Sequence, residues 1–213
     1  MRNIALLLTL ALLSSCRSPS FLVSDLDAPQ HGHALPPMVL QFDENSFMNH
    51  FPAWRYVPPQ DSPFTPGYYV PRRTEQLQDM QTFIERSFKG NLCEYKGPAL
   101  GTAVCRLITS DTESLNDAWV YLSALSLGIA PMLGLPTGRW RAQVGLEVEL
   151  FDIAGDPIAR YRGAGLARRT VGFYYGHSDF KRTLHLEAVK QAMEQIASQI
   201  QADEQMLRKE LGL

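Results

Sequence analysis

Residues 142–168 constrain the fold more than any other stretch of the chain. In "AQVGLEVELF", residues 142–151, Val144, Leu146, Val148 and Leu150 fall on one side of a two-residue alternation, while Glu147 and Glu149 fall on the other. Successive strand side chains point to opposite faces, so this segment reads as a strand with one apolar and one polar face. "DIAGDP", residues 152–157, is a turn signal, and "IARYRGAGLAR", residues 158–168, reads as the returning strand. A tight turn at Ala154-Gly155, with Ile153 opposite Asp156, makes an antiparallel hairpin of residues 142–151 and 157–168 in which paired positions sum to 309. Glu149 then faces Arg160, Glu147 faces Arg162, and Val148 faces Tyr161. Opposite charges match on one face, and a slip of one residue would carry the apolar set to the wrong side.

An apolar sheet face needs a second layer, and two amphipathic segments supply it. Leu77, Met80, Ile84 and Phe88 mark one face of a helix with Thr74 as its N-cap and Gly90 as its C′ residue. The second helix starts near Asp179, where Ser178 or Asp179 is the cap. Its seam of Leu186, Val189, Met193, Ile196 and Ile200 is interrupted at Asp203 and resumes at Leu207. Gly163 and Gly165 would let this helix approach the returning strand closely. "LGTAVCRLIT", residues 100–109, reads as a further short strand. Residues 74–213 are therefore expected to be an α+β domain, an antiparallel sheet packed against at least two helices.

Ahead of that domain, ten of the fourteen prolines lie between Pro19 and Pro71. Residues 16–37 read as an extended, proline-rich tether. Residues 38–73 combine prolines with Phe42, Phe47, Phe51, Trp54, Tyr56, Phe64, Tyr68 and Tyr69, too many rings for a spacer. They read as irregular chain packed on the domain.

The N-terminus has Arg2, an apolar run from Ile4 to Leu13, and then Leu13-Ser14-Ser15-Cys16. The run is too short to span a bilayer, which takes roughly 20 apolar residues. Its end resembles the lipobox of bacterial lipoproteins. That resemblance implies that residues 1–15 are a signal peptide and that Cys16 becomes the first residue, acylated on sulfur and amine. Arg17 after the cysteine, where aspartate would mark inner-membrane retention, resembles an outer-membrane address. With Cys16 used, Cys93 and Cys105 remain, and in an oxidising compartment such a pair is expected to bridge.

The chain carries 20 basic and 22 acidic residues, a formal charge of −2, so no global field favours nucleic acid. His31, His33, His50, His177 and His185 lack the spacing of a metal site, and no cofactor motif occurs. "GHSDF", residues 176–180, puts His177, Ser178 and Asp179 side by side, unlike a triad, and no nucleophile elbow is present.

Two features stand out. Arginines crowd residues 139–182; Arg139 and Arg141, with the pair Arg168 and Arg169, for which the sequence offers no obvious partner, are the candidate anion or partner ligands. Residues 118–138 carry no charge, but Gly128, Pro131, Gly134 and Pro136 oppose one continuous helix. Three placements compete for this segment: packed within the domain, docked on an interface or partner, or membrane-spanning. Trp119, Tyr121, Pro131 and Trp140 are its candidate membrane or partner contacts. The resemblance implies a non-enzymatic, lipid-anchored protein of the outer membrane, facing the periplasm. Its acyl chains would hold the membrane, and its domain would bind an envelope protein or glycan as an adaptor or assembly factor. The alternatives are an auxiliary subunit of an envelope transport machine, using residues 118–138, and an envelope hydrolase.

Overall fold

The computed structural model describes residues 34–51, 54–57, 68–71, 75–94, 97–115, 121, 125, 126, 129, 136–172 and 177–212. In chain order the elements are β1 (Val39–Phe42), α1 (Glu44–His50), β2 (Trp54–Val57), β3 (Tyr68–Pro71), α2 (Glu75–Asn91) and β4 (Gly101–Leu115). β5 (Pro136–Asp152), β6 (Pro157–Gly172), α3 (His177–Ala202) and α4 (Glu204–Glu210) follow. The main sheet has the order β1-β4-β5-β6, and β2 and β3 form a separate two-stranded ribbon. The architecture is α+β, with an open sheet packed against helices.

The hairpin forms in the expected register from Ala142 to Leu150 and shifts by one residue at Phe151, which pairs with Pro157. Glu147 pairs with Arg162, Val148 with Tyr161, and Glu149 with Arg160. Val144, Leu146, Val148 and Leu150 are completely buried. Both strands outrun the expected limits, and the turn is one residue longer than a tight Ala154-Gly155 turn. Asp152 and Asp156 close it, through the Asp152 amide on the Asp156 carbonyl at 3.0 Å. Gly155 takes φ +90°, a conformation that side chains oppose. Ile153 is left outside the ladder, 81% exposed.

Three sequence readings are corrected here. The sheet is mixed, because β1 runs parallel to β4, with Val39 beside Thr102 and Phe42 beside Cys105. Residues 38–73 are not uniformly irregular, since they hold β1, α1, β2 and β3. α2 runs on to Asn91, so Gly90 lies inside it; Thr74 lies outside the described residues. The aromatic reading holds for Phe47, fully buried and edge-on to Phe42 at 5.6 Å. β4 also continues to Leu115 through a bulge between Leu107 and Thr109. The short β1 leaves the edge of β4 unpaired beyond Cys105. The Asp43 amide bonds to the Cys105 carbonyl, and the Leu107 amide to Ser46 Oγ, which extends the pairing of that edge as far as Leu107.

The expected Cys93–Cys105 disulfide is absent, and both thiols are free and buried. Cys93 bridges Leu35, upstream of β1, whereas Cys105 lies beside Phe42 at its far end. The three steps of β1 alone separate those positions by roughly 10 Å, beyond the reach of a disulfide. Burial pushes both thiols up to about 12.

α3 lies across the inner face of the sheet, and its seam residues Leu186, Val189, Met193, Ile196 and Ile200 are buried with Leu77, Met80, Ile84 and Phe88 of α2. The two glycines permit this contact: a Cβ on Gly163 would lie 2.1 Å from the Ala192 carbonyl oxygen, and one on Gly165 1.8 Å from that of Ala188. Arg182 joins the helices, its Nε donating to Asp79 at 2.7 Å and its Nη1 to Glu75 at 3.0 Å. The helix starts at His177, so Ser178 and Asp179 lie inside its first turn rather than capping it. α4 resumes after Asp203, and Leu207 is fully buried.

Candidate partner-binding surface

The outer face of the sheet displays the polar half of each alternating strand. Near the β5–β6 turn it carries an ion network. Glu149 accepts from Arg160 Nη2 at 2.6 Å and from Arg106 Nη1 at 2.9 Å, and Glu147 accepts from Arg162 Nε at 2.7 Å. Arg106 also lies 3.4 Å from the Asp43 carboxylate. The guanidinium groups cover the carboxylates, leaving Glu147 5% and Glu149 7% exposed on a solvent-facing surface. The hydrogen bond from Arg160, with the charges of Arg160 and Arg106, outweighs burial and holds the Glu149 carboxyl below the usual carboxylate range. Glu149 is therefore ionised at neutral pH and ill suited to act as a general acid. Three cations meet three anions here, so the network fixes register and presents little net charge.

Beyond the network, Thr109, Gly145 and Ala164 lie in one row across β4, β5 and β6. These small residues form the floor of an open depression lined by Ile108, 43% exposed; Leu166, two residues beyond Ala164 along β6, is 40% exposed. Gly145 is required there: a Cβ would stand 2.6 Å from Thr109 Oγ1. Farther along, Arg141 pairs with Glu113 on β4, and Arg168, exposed, sits directly opposite Arg141 on β6.

The free edge of β6 is occupied by side chains of α3. Gln191 Oε1 accepts from the Leu166 amide and Gln195 Oε1 from the Ala164 amide, both at 3.0 Å, and Gln199 Nε2 donates to the Arg162 carbonyl at 2.8 Å. Three glutamines, four residues apart on the helix, meet three alternate residues of the strand. They occupy three of the outward backbone groups that a further strand would use.

Of the expected site residues, Arg139, Arg141, Arg168 and Arg169 gather at one end of the β5–β6 ladder, with Arg141 opposite Arg168 and Trp140 opposite Arg169. Arg139 is exposed on β5 opposite Leu115 and Thr170. Arg169 is not partnerless, because its Nη2 donates to Glu187 of α3 at 2.7 Å. Trp140, half-buried, faces the helix layer. Its ring lies edge-on to Phe180 at 6.4 Å, with Lys181 Nζ 4.8 Å above it. Tyr121 is exposed, whereas Cys16, Trp119 and Pro131 lie outside the described residues. Ile108, Thr109, Gly145, Ala164, Leu166 and the edge-binding glutamines were missed. Their only sequence signal was the outward phase of the strands and the 191-195-199 spacing.

Among the described residues no helix is long and apolar enough to cross a membrane. Pro136 opens β5, so residues 118–138 do not form one helix throughout.

No protein-family model matches the chain, and neither does any curated protein. Solved structures do. A candidate lipoprotein from Caulobacter crescentus is 10% identical, with a TM-score of 0.35 over 63% of this chain and 84% of that one. A Xanthomonas campestris protein of the DUF330 family is 10% identical, with a TM-score of 0.41 over 85% and 91%. A minor lipoprotein from Acinetobacter baumannii is 16% identical, with a TM-score of 0.36 over 61% and 88%. Likenesses this distant assign no role to the chain.

Proposed function

We propose that this chain is a non-enzymatic, lipid-anchored lipoprotein of the bacterial envelope, whose domain binds an envelope protein or glycan as an adaptor or assembly factor. The observation that carries the anchoring is the sequence Leu13-Ser14-Ser15-Cys16 closing an apolar run of signal-peptide length. Arg17 supports an outer-membrane, periplasm-facing address. Partner binding is supported by the open outer face of the sheet, a broad surface with the exposed Ile108 and Leu166 beside a balanced ion network. Gentle detergent extraction and co-purification test it. A partner retained by the native protein and lost with Ile108→Asp and Leu166→Asp supports the adaptor role. Retention by that variant contradicts this surface.

A second reading, an auxiliary subunit of an envelope transport machine, is favoured by one observation. Tyr121, Leu125 and Ile129, within the uncharged residues 118–138, are 68%, 83% and 60% exposed.

A further inference from the structure

We infer that the joint between α2 and α3 is a binding site for one resident water, bonded to Ser87 Oγ and Asn91 Nδ2 of α2 and to Lys190 of α3. The inference rests on the helix layer alone and stands or falls apart from the adaptor reading.

Phe83, Ser87 and Asn91 recur four residues apart and so share one stripe of α2. Lys190, Met193 and Ala197 share a stripe of α3 in the same way. The two stripes, with Leu92, line a cavity of about 10 Å³. Its apolar walls are closed to solvent, since Phe83, Leu92, Met193 and Ala197 are each 3% exposed or less.

Packing of this kind would ordinarily join apolar side chains, yet α2 brings a hydroxyl and a carboxamide to it. Ser87 Oγ and Asn91 Nδ2 are both buried with no hydrogen-bond partner among the described residues. Ser87 is 5% exposed, so bulk water does not serve it. Buried polar groups are almost always paired, because one stripped of water and left unbonded costs more than an ordinary hydrogen bond returns. Side chains four residues apart on a helix stand about 5–6 Å from one another at Cβ, a gap that one bridging molecule spans.

Size and polarity select the occupant. A volume of this order holds a single water and nothing larger, and cavities that stay dry are apolar throughout. The bonds balance around one water. Asn91 Nδ2 donates to its oxygen, Lys190 donates to the second lone pair, and the water donates to Ser87 Oγ. Three bonds are the usual complement of a buried water. Lys190 is half-buried and has no ion-pair partner among the described residues, so its ammonium is uncommitted. An anion would shed its hydration among Phe83, Met193 and Ala197, which disfavours a charged occupant. The water thus ties α2 to α3 through hydrogen bonds where apolar contact alone would leave two groups unpaired.

The test uses the chain from residue 16 with Cys16→Ala, which keeps every described residue. A crystal structure at about 1.8 Å should show one ordered water about 2.7–3.2 Å from both Ser87 Oγ and Asn91 Nδ2. Crystals soaked in bromide should show no anomalous peak at that position. Ser87→Ala and Asn91→Leu each leave the water a bond short, and each should lower the melting temperature by about 2–6 °C. The double variant has no polar pair left to bridge and should melt no lower than the worse single variant, because the two groups act through one water. A dry cavity overturns the inference, as does a bromide peak within it. So do Ser87 and Asn91 turned onto protein partners, or losses in the double variant that equal the sum of the two singles.

Discussion

Gly163 and Gly165 are where single atoms decide most. At both positions the obstacle to a side chain is the backbone oxygen of α3, which cannot rotate away. Gly165→Ala must push the helix off the strand, and a loss of about 1–3 kcal/mol is expected. Gly138→Ala, with open space around its Cβ position, serves as the control in the same chemical melts. His185 sets a pH dependence. It is 4% exposed, bonded to Thr112 Oγ1 at 2.9 Å and to the Lys181 carbonyl at 3.1 Å, with Phe51 edge-on at 5.8 Å. Burial, aided by the Lys181 charge, holds its pKa below 6.5. The unfolded chain therefore takes up a proton first as pH falls through about 6.5. Stability should decline from there to the lower folded pKa and then level off. His185→Gln should flatten that decline in melts recorded across the range. At Cys93 and Cys105, thiol labelling of the unreduced protein should be slow when folded and complete at both residues once denatured. Failure to label after denaturation would contradict the fold.

Among the elements, the hairpin was legible because two independent patterns agree on it. The apolar alternation sets the inward face, and the Glu147–Arg162 and Glu149–Arg160 matches set the register. β4 was only half legible: beyond its bulge "SDTES" has no apolar alternation to read. β1 was hidden because it is four residues long and follows prolines. The arginines misled because their partners come from distant segments, as with Arg169 and Glu187, or Arg141 and Glu113. Pairing of that kind needs the fold before it can be seen. The glutamine ladder carries a prediction at this scale. Gln191→Ala with Gln195→Ala removes two hydrogen bonds at the edge of β6, each worth about 0.5–1.5 kcal/mol. The protein should lose about 1–3 kcal/mol and gain a concentration-dependent dimer by light scattering, as strand edges pair.

The main sheet has two distinct ends. The chain enters the sheet beside Gly101 and the β5–β6 turn, and Tyr121, Leu125 and Ile129 belong to the connection at the other end. The outer face lies between, with its ions paired and its small-residue row open. The polarity of the fold was not legible in sequence, because it depends on β1 lying parallel to β4. Attachment to the envelope depends on Cys16. Intact-mass and peptide analysis of the native protein from detergent-extracted membranes measures its state directly. An N-terminal peptide that begins at Cys16 and carries acyl chains is expected. A Cys16→Ala substitution should leave the larger, uncleaved precursor. A mature chain that begins elsewhere, or an unmodified Cys16, would contradict it.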